Sequence, residues 1–419
     1  TTEDGGKSYD MLFTGLNVNR AWKSDATWFG QYAGQYITST LGGATPDQAH
    51  AAARVVADTG RLIPGTDAFK NAFNAVIANP DVLSGSKLVD NSRIYHSDAN
   101  YNFKDVFKPV EIQVGGSYRK YSLNSFGTIY TDKDGPIDYS EYGIYTQIQK
   151  DLELSDALEL KLTGSVRYDK SEFFDGFFSP RISAGLTVNR NHNIRASVQT
   201  GFRNPTTQDL FIGLDTGAYV LVGSAPDNLE RYSQPYDISA AGQLLGQPAT
   251  ITQSGGVAYT NSYTAASALA AAATGNPAVL EVANPSIIKP EQVSSAEVGY
   301  RGKFKNLIVD FSTYYNKYKD FISQGRVISP FYGTVGDEGL SVAAIANRDY
   351  QIYGSYTNAE ADVKSYGASI GLSMKVFGGF DLGGSYTYSK LDFDKDKYPN
   401  FVTNFNTPEH KFKASFGNT

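Results

Sequence analysis

The sequence predicts an all-β fold: an antiparallel transmembrane β-barrel present in part, with about 13 strands and with short helices set into long extracellular loops. Three observations predict it. Apolar and polar residues alternate with period two over segments of about 10 to 15 residues, beyond the roughly 5 to 6 usual in globular sheets. The links between these segments are short and long by turns. No apolar run nears the ~18 residues a spanning helix requires, yet Gly (41), Tyr (29) and Phe (24) are abundant, as in aromatic-girdled barrels.

Taken in order, Leu12, Thr14, Leu16 and Val18 alternate in a first expected strand, and Lys23-Ser24-Asp25 turns it into a second over Trp28 to Ile37. The pattern then changes. Ala49 to Ala57 and Ala68 to Ala78 are Ala-rich without alternation, and Thr45-Pro46 forms an N-cap and N1 pair, so two short helices are expected inside a loop. The third strand sets Tyr95, Ala99, Tyr101 and Phe103 against His96, Asp98 and Asn100. In the fourth, Val114, Gly116 and Tyr118 oppose Gln113, Ser117 and Arg119, and in the fifth Tyr142, Ile144 and Ile148 oppose Glu141, Tyr145 and Gln147. The sixth is the clearest. There Leu158, Leu160, Leu162, Gly164, Val166 and Tyr168 oppose Glu159, Lys161, Thr163, Ser165 and Arg167, and residues three and four apart mix both sets, which excludes a helical stripe. Ile182 to Val188 and Ile194 to Phe202 form the next two. The last five cover Ala296 to Phe304, Leu307 to Tyr315, Tyr366 to Val376, Leu382 to Tyr388 and a final run that begins at Phe412.

Short links fall at residues 23–25, 104–109, 152–157, 189–193, 303–306 and 377–379. The intervening links, read as external loops, fall at 38–92, 121–139, 170–178, 203–289, 320–360 and 390–407. Strict alternation places all short links on one edge and all long ones on the other, which is the sidedness of tight periplasmic turns and extended external loops. A soluble sandwich or propeller does not require it.

Composition narrows the chemistry. Zero Cys removes disulfides, thiolate metal sites and a Cys nucleophile, and a net charge of −6 provides no basic field for nucleic acid. There is no GxSxG elbow and no phosphate loop, so no enzyme and no cofactor is expected. His50, His96, His192 and His410 are scattered without i, i+4 pairing and read as ordinary polar residues rather than metal or catalytic groups. Asp392, Asp394 and Asp396 have the spacing that opens a calcium loop, but Lys397 stands at the sixth position and Thr403 at the twelfth, so a solvated loop is expected. Phe173, Phe174, Phe177 and Phe178 at a long-link edge read as an aromatic girdle in preference to a ligand-stacking patch. The first residues, TTEDGGKSYD, lack the pattern of a signal peptide, and the whole of 1–419 is read as one partial barrel domain.

One strand carries more than its alternation. Ile194 to Arg203 ends at Asn204-Pro205, where a ladder cannot continue, and feeds the longest link. Gly201 to Phe211, GFRNPTTQDLF, resembles the GFRAP-type segment of TonB-dependent outer-membrane receptors, with Asn204 where that family often has Ala. The resemblance implies a Gram-negative outer-membrane barrel of about 22 strands, with a plug domain and final strands outside this chain. It implies uptake of a bulky nutrient (iron chelate, oligosaccharide or peptide), with outer-membrane lipid, a TonB-type energising protein acting through the plug, and a surface lipoprotein as partners. Arg203, Asn204, Gln208 and Asp209 lie at the mouth and are the ligand-contact candidates, with turn hydrogen bonding and loop anchoring as the competing role. A passive porin-like channel and a secreted β-rich adhesin or carbohydrate-binding protein are the alternative functions.

Overall fold

The structure is a computed structural model that describes every residue except 1, 5, 6, 10, 82, 338, 397, 399–406 and 419. The chain divides into two compact units, one of residues 1–92, 123–137 and 212–221, the other of 93–122, 138–211 and 222–419.

The first unit is mainly helical. A short hairpin, β1 (Thr2–Asp4) and β2 (Lys7–Tyr9), precedes α1 (Met11–Trp22), α2 (Asp25–Leu41), α3 (Pro46–Ala57) and α4 (Asp67–Ala78). The two expected helices are present, and Thr45 and Gln48 close a capping box around Pro46. The first two expected strands are corrected to α1 and α2. In α1 the buried residues are Phe13, Thr14, Asn17 and Val18, a 3.6-residue stripe; the alternating Leu12 and Leu16 are exposed. Asn17 donates to the Gly85 carbonyl at 2.6 Å. In α2 the aromatics Trp28, Tyr32 and Tyr36 recur every fourth residue, Trp28 and Tyr32 stack at 5.0 Å, and α3 buries Ala49, Ala53 and Ala57 completely. Local aromatic content favours strand there, and packing of one helix against an alanine face overrides it.

The second unit is built on one antiparallel sheet. Its strands are β3 (Arg93–Asn102), β4 (Glu111–Leu123), β5 (Ile137–Ser155), β6 (Leu158–Ser171), β7 (Phe177–Val188) and β8 (His192–Arg203). The chain then leaves it for α5 (Thr207–Phe211), runs through β9 (Gly213–Asp215) and most of β10 (Val220–Val222) in the first unit, and continues in the second with α6 (Asn228–Arg231), β11 (Ser233–Asp237), α7 (Ala240–Leu244), β12 (Thr250–Ser254), α8 (Val257–Thr260), β13 (Tyr263–Thr264) and α9 (Ala265–Thr274). It returns in β14 (Glu291–Phe304) and β15 (Leu307–Lys319). It leaves again for β16 (Ile322–Pro330), α10 (Leu340–Asn347) and β17 (Tyr350–Asn358), and finishes in β18 (Lys364–Lys375), β19 (Phe380–Asp392) and β20 (His410–Asn418).

The sheet holds 11 strands, in the order β3 to β8, β14, β15, β18, β19 and β20, so each long strand pairs with its neighbours in the chain. These are the expected strands less the two that are helices. An up-and-down meander of this kind puts every short link on one rim and every long link on the other. One face is apolar and outward: Ile182 and Val198 pair across β7 and β8 with 71% and 65% exposure, and Val166, Ile370 and Leu372 are likewise open. Its rows end in aromatic pairs, Tyr168–Phe178 at 4.8 Å near the long-link rim and Phe380–Phe416 at 4.8 Å near the other. The opposite face carries Glu, Arg, Lys, Ser and Gly. Isolated residues of such polarity would be costly in a dry core.

The loops between β8 and β14 and between β15 and β18 fold together. β16 pairs with β13 and β17, β11 with β12, and small cores form around Tyr263, Ala268, Ile328 and Ile345 and around Ile238, Tyr332 and Ala344. Buried Asp349 accepts the Ser239 amide, the Ser239 hydroxyl and the Tyr332 hydroxyl, each at 2.8 Å. The link expected at 320–360 therefore contains a strand pair. Half of that at 390–407 lies outside the described residues, Lys397 and Thr403 included.

Candidate functional site at the long-link mouth

The β8 strand delivers the GFRNP turn to the long-link rim, where Pro205 is buried and the backbone bends into α5. Beside this turn lies a cavity of about 460 Å³, lined among others by Arg119, Tyr121, Glu141, Arg167, Asp169 and Asn204. Parity aims the strand residues among them, since Arg119, Tyr121, Glu141, Arg167 and Asp169 each sit on the polar face of their strand, while Asn204 enters from the turn after β8.

The walls are cross-linked. Arg167 holds Asp169 through Nε at 2.7 and 2.8 Å and Nη2 at 2.6 Å, while Nη2 also donates to the Ser117 hydroxyl at 3.1 Å. Gly143 leaves room for this pair, because a Cβ there would displace the ends of the Asp169 and Arg167 side chains. Glu141 takes the Asn204 amide at 2.7 Å and the Tyr121 hydroxyl at 3.3 Å. Tyr121 stacks on Tyr139 at 4.5 Å, and Tyr139, Phe173 and Phe211 meet pairwise at 5.4 Å.

Of the four sequence-nominated residues, Arg203 and Asn204 line this cavity, Gln208 and Asp209 sit just past it in α5, and each is engaged in anchoring. Arg203 pairs with Glu291 at 3.0 Å, and the same carboxylate oxygen accepts the Ile322 amide at 2.9 Å, so one acid ties β8, β14 and β16. Asn204 is held by Glu141, and Gln208 donates to the Tyr356 hydroxyl at 2.9 Å. Asp209 accepts the Thr206 amide at 2.8 Å and its own amide donates to the Thr206 hydroxyl at 3.2 Å, a reciprocal cap on α5. Tyr259 underpins the same region. Its hydroxyl lies 3.1 Å from the Tyr356 carbonyl and accepts the Tyr356 amide at 3.0 Å, and burial pushes its phenol far above the ordinary range.

Sequence reading identified Arg119, Glu141 and Arg167 as facing water but gave no reason to group them. Phe178 is exposed against Tyr168, whereas Phe173 turns into the ring cluster under α5. Of the histidines, His192 bonds Tyr300 at 2.8 Å and His410 bonds Tyr386 at 2.9 Å, while His50 bonds Tyr32.

Long two-faced strands, sorted links and a polar mouth define an outer-membrane β-barrel protein. The chain matches the family model described as TonB dependent receptor-like, beta-barrel, over residues 2–419, and it belongs to that family, whose members are outer-membrane proteins. A vitamin B12 transporter, BtuB, of Vibrio vulnificus (strain CMCP6) is 32% identical over 105 residues, which covers 24% of this chain and 16% of that protein. Among solved structures, the siderophore receptor PirA of Pseudomonas aeruginosa aligns at 13% identity with a TM-score of 0.44 over 74% of this chain and 44% of that one. PirA of Acinetobacter baumannii aligns at 15% identity with a TM-score of 0.44 over 80% and 42%. The chain thus spans less than half the length of these structures.

Proposed function

We propose that this chain forms the wall and external loops of a receptor that takes up a bulky nutrient, an iron chelate, oligosaccharide, peptide or corrinoid, across the outer membrane. The observation that carries the reading is the polar mouth cavity walled by the GFRNP turn and bordered by large folded loops, a concave and partly charged surface on the long-link rim. Family membership supports it. The work is binding, not bond-making: a ligand held by loops and inner wall is released when an energised partner of the TonB type changes the affinity of the site through a plug, so differential affinity between two states drives transport. Arg203, Asn204, Gln208 and Asp209 act as positioning residues that fix the loop bearing the contacts. Outer-membrane lipid surrounds the apolar face, and a surface lipoprotein is a further partner.

The test is uptake by cells carrying the whole receptor, with labelled ferric chelate, oligosaccharide, peptide and corrinoid compared, in the presence and absence of the TonB-type protein. Saturable uptake of one class that depends on the energising protein is expected. Energy-independent flux of all classes together with ion conductance in planar bilayers would replace the reading with a passive channel.

A further inference from the structure

A second cavity, of about 510 Å³, opens between α9 and α10 in the folded loops, within the size range of small-molecule sites. Its floor is fixed, since Leu280, Ile345 and Tyr350 belong to or pack on the core around Tyr263, Ala268 and Ile328. Its walls include Ala271, Ala272, Gly275 and Ala346, residues too small to fill it. Of the ten residues that line it, only Arg348 is charged.

Arg348 stands at the C-cap of α10 with φ 62°, and its backbone N–H donates to the Ala344 and Ile345 carbonyls. That left-handed conformation favours Gly or Asn, so the cap does not explain an arginine. Among the described residues no acid pairs with its guanidinium. The adjacent Asp349 is buried and engaged with Ser239 and Tyr332. The helix-end carbonyls give the exposed cation only a weak, screened partner.

We propose that this pocket binds an amphipathic monoanion, with a compact aromatic or aliphatic body in the alanine-walled cleft and one carboxylate or sulfonate on Arg348. The inference goes beyond the uptake reading by assigning a compact ligand, distinct from the bulky nutrient, to the loops on the long-link side, and it stands on the geometry of this pocket. The test uses the whole receptor in lipid nanodiscs, titrated with fluoronaphthoate and, separately, with neutral fluoronaphthol, each followed by fluorine NMR. Fluoronaphthoate binds at least about tenfold tighter than the alcohol. Arg348→Asn, which suits the left-handed backbone, abolishes that preference while leaving the alcohol's affinity unchanged. Ala346→Leu, at an exposed helical position, blocks both. Equal affinity for acid and alcohol, or naphthoate binding that neither variant alters, overturns the proposal. Naphthoate binding that persists where energised uptake is absent would sink the transport reading alone.

Discussion

Ile182→Arg tests the assignment of the two sheet faces. Ile182 lies mid-strand in β7, opposite Gly164 and Val198, with its side chain open on the apolar face. Val188 ends the strand at the short-link rim six residues away. At about 3.3 Å per residue and a tilt of roughly 40°, Ile182 is then some 15 Å from that rim, about half of a ~25–30 Å hydrocarbon band. An arginine at that depth costs about 2–4 kcal/mol, or roughly 30-fold to nearly 1,000-fold in the assembly equilibrium. Ser183 is the next residue and lines a polar cavity of about 600 Å³ with Arg181, Arg195 and Glu297, so Ser183→Arg costs under about 1 kcal/mol. Phe178→Arg, one residue from the long-link end of β7, falls to about 0–1 kcal/mol. The assay is refolding of the whole receptor into phospholipid vesicles across a urea series, with the folded fraction read from heat-modifiable gel migration. Equal costs at 182 and 183, or a cost at 178 matching that at 182, would refute the assignment.

Other outcomes follow from the same contacts. Arg203→Ala leaves the Glu291 carboxylate, only 11% exposed, with the Ile322 amide alone, and hydrogen–deuterium exchange over residues 204–211 and 320–324 accelerates by about 1–2 kcal/mol of lost protection; unchanged protection there would remove Arg203 from the anchoring role. Gly223→Ala puts a methyl 2.5 Å from the Leu210 oxygen and 2.6 Å from the Phe211 nitrogen, both backbone, so α5 shifts at about 1–3 kcal/mol and limited proteolysis cuts faster between residues 204 and 230. Asp58 accepts the Trp28 indole N–H at 2.9 Å, and this bond, ahead of the Arg54 charge, holds its carboxyl below the ordinary value of 3.8. A depressed acid stabilises fully above the unfolded pKa and loses that contribution as pH falls through the folded one. In a Trp22→Phe background, Trp28 emission therefore stays constant from neutral pH down to about pH 4 and shifts below it, and Asp58→Asn shows no such step; a step near neutral pH would contradict the assignment.

The eleven sheet strands were legible because a strand between hydrocarbon and water repeats one instruction every second residue, as Leu158 to Tyr168 shows. Where the environment differs, the same signal misleads. Leu12, Leu16 and Val18 fit a period of two, but only the spacing of Phe13, Asn17 and Val18 corresponds to burial, and α1 follows the latter. The β16–β17 pair, inside the link expected at 320–360, was missed, and its two strands are separated by an insertion that holds α10. At the mouth, parity assigned Arg119, Glu141 and Arg167 to the wet face, but their shared height depends on inter-strand register, which no local pattern encodes. The Arg203–Glu291 pair spans 88 positions and exists only because β8 and β14 are neighbours.

The edges of the sheet impose a further requirement. β3 and β20 each have a neighbour on one side only among the described residues. Every unpaired N–H or C=O placed in hydrocarbon costs several kcal/mol, and a handful on two edge strands exceeds the ~5–15 kcal/mol that holds a domain folded. An apolar face as continuous as that from Ile144 to Phe416 therefore reaches lipid only once both edges are paired, because antiparallel barrels remove edges by closure. The outward hydrophobic rows and the open edges are thus two signs of one constraint: the sequence is written for hydrocarbon, and closure makes that solvent accessible to its backbone.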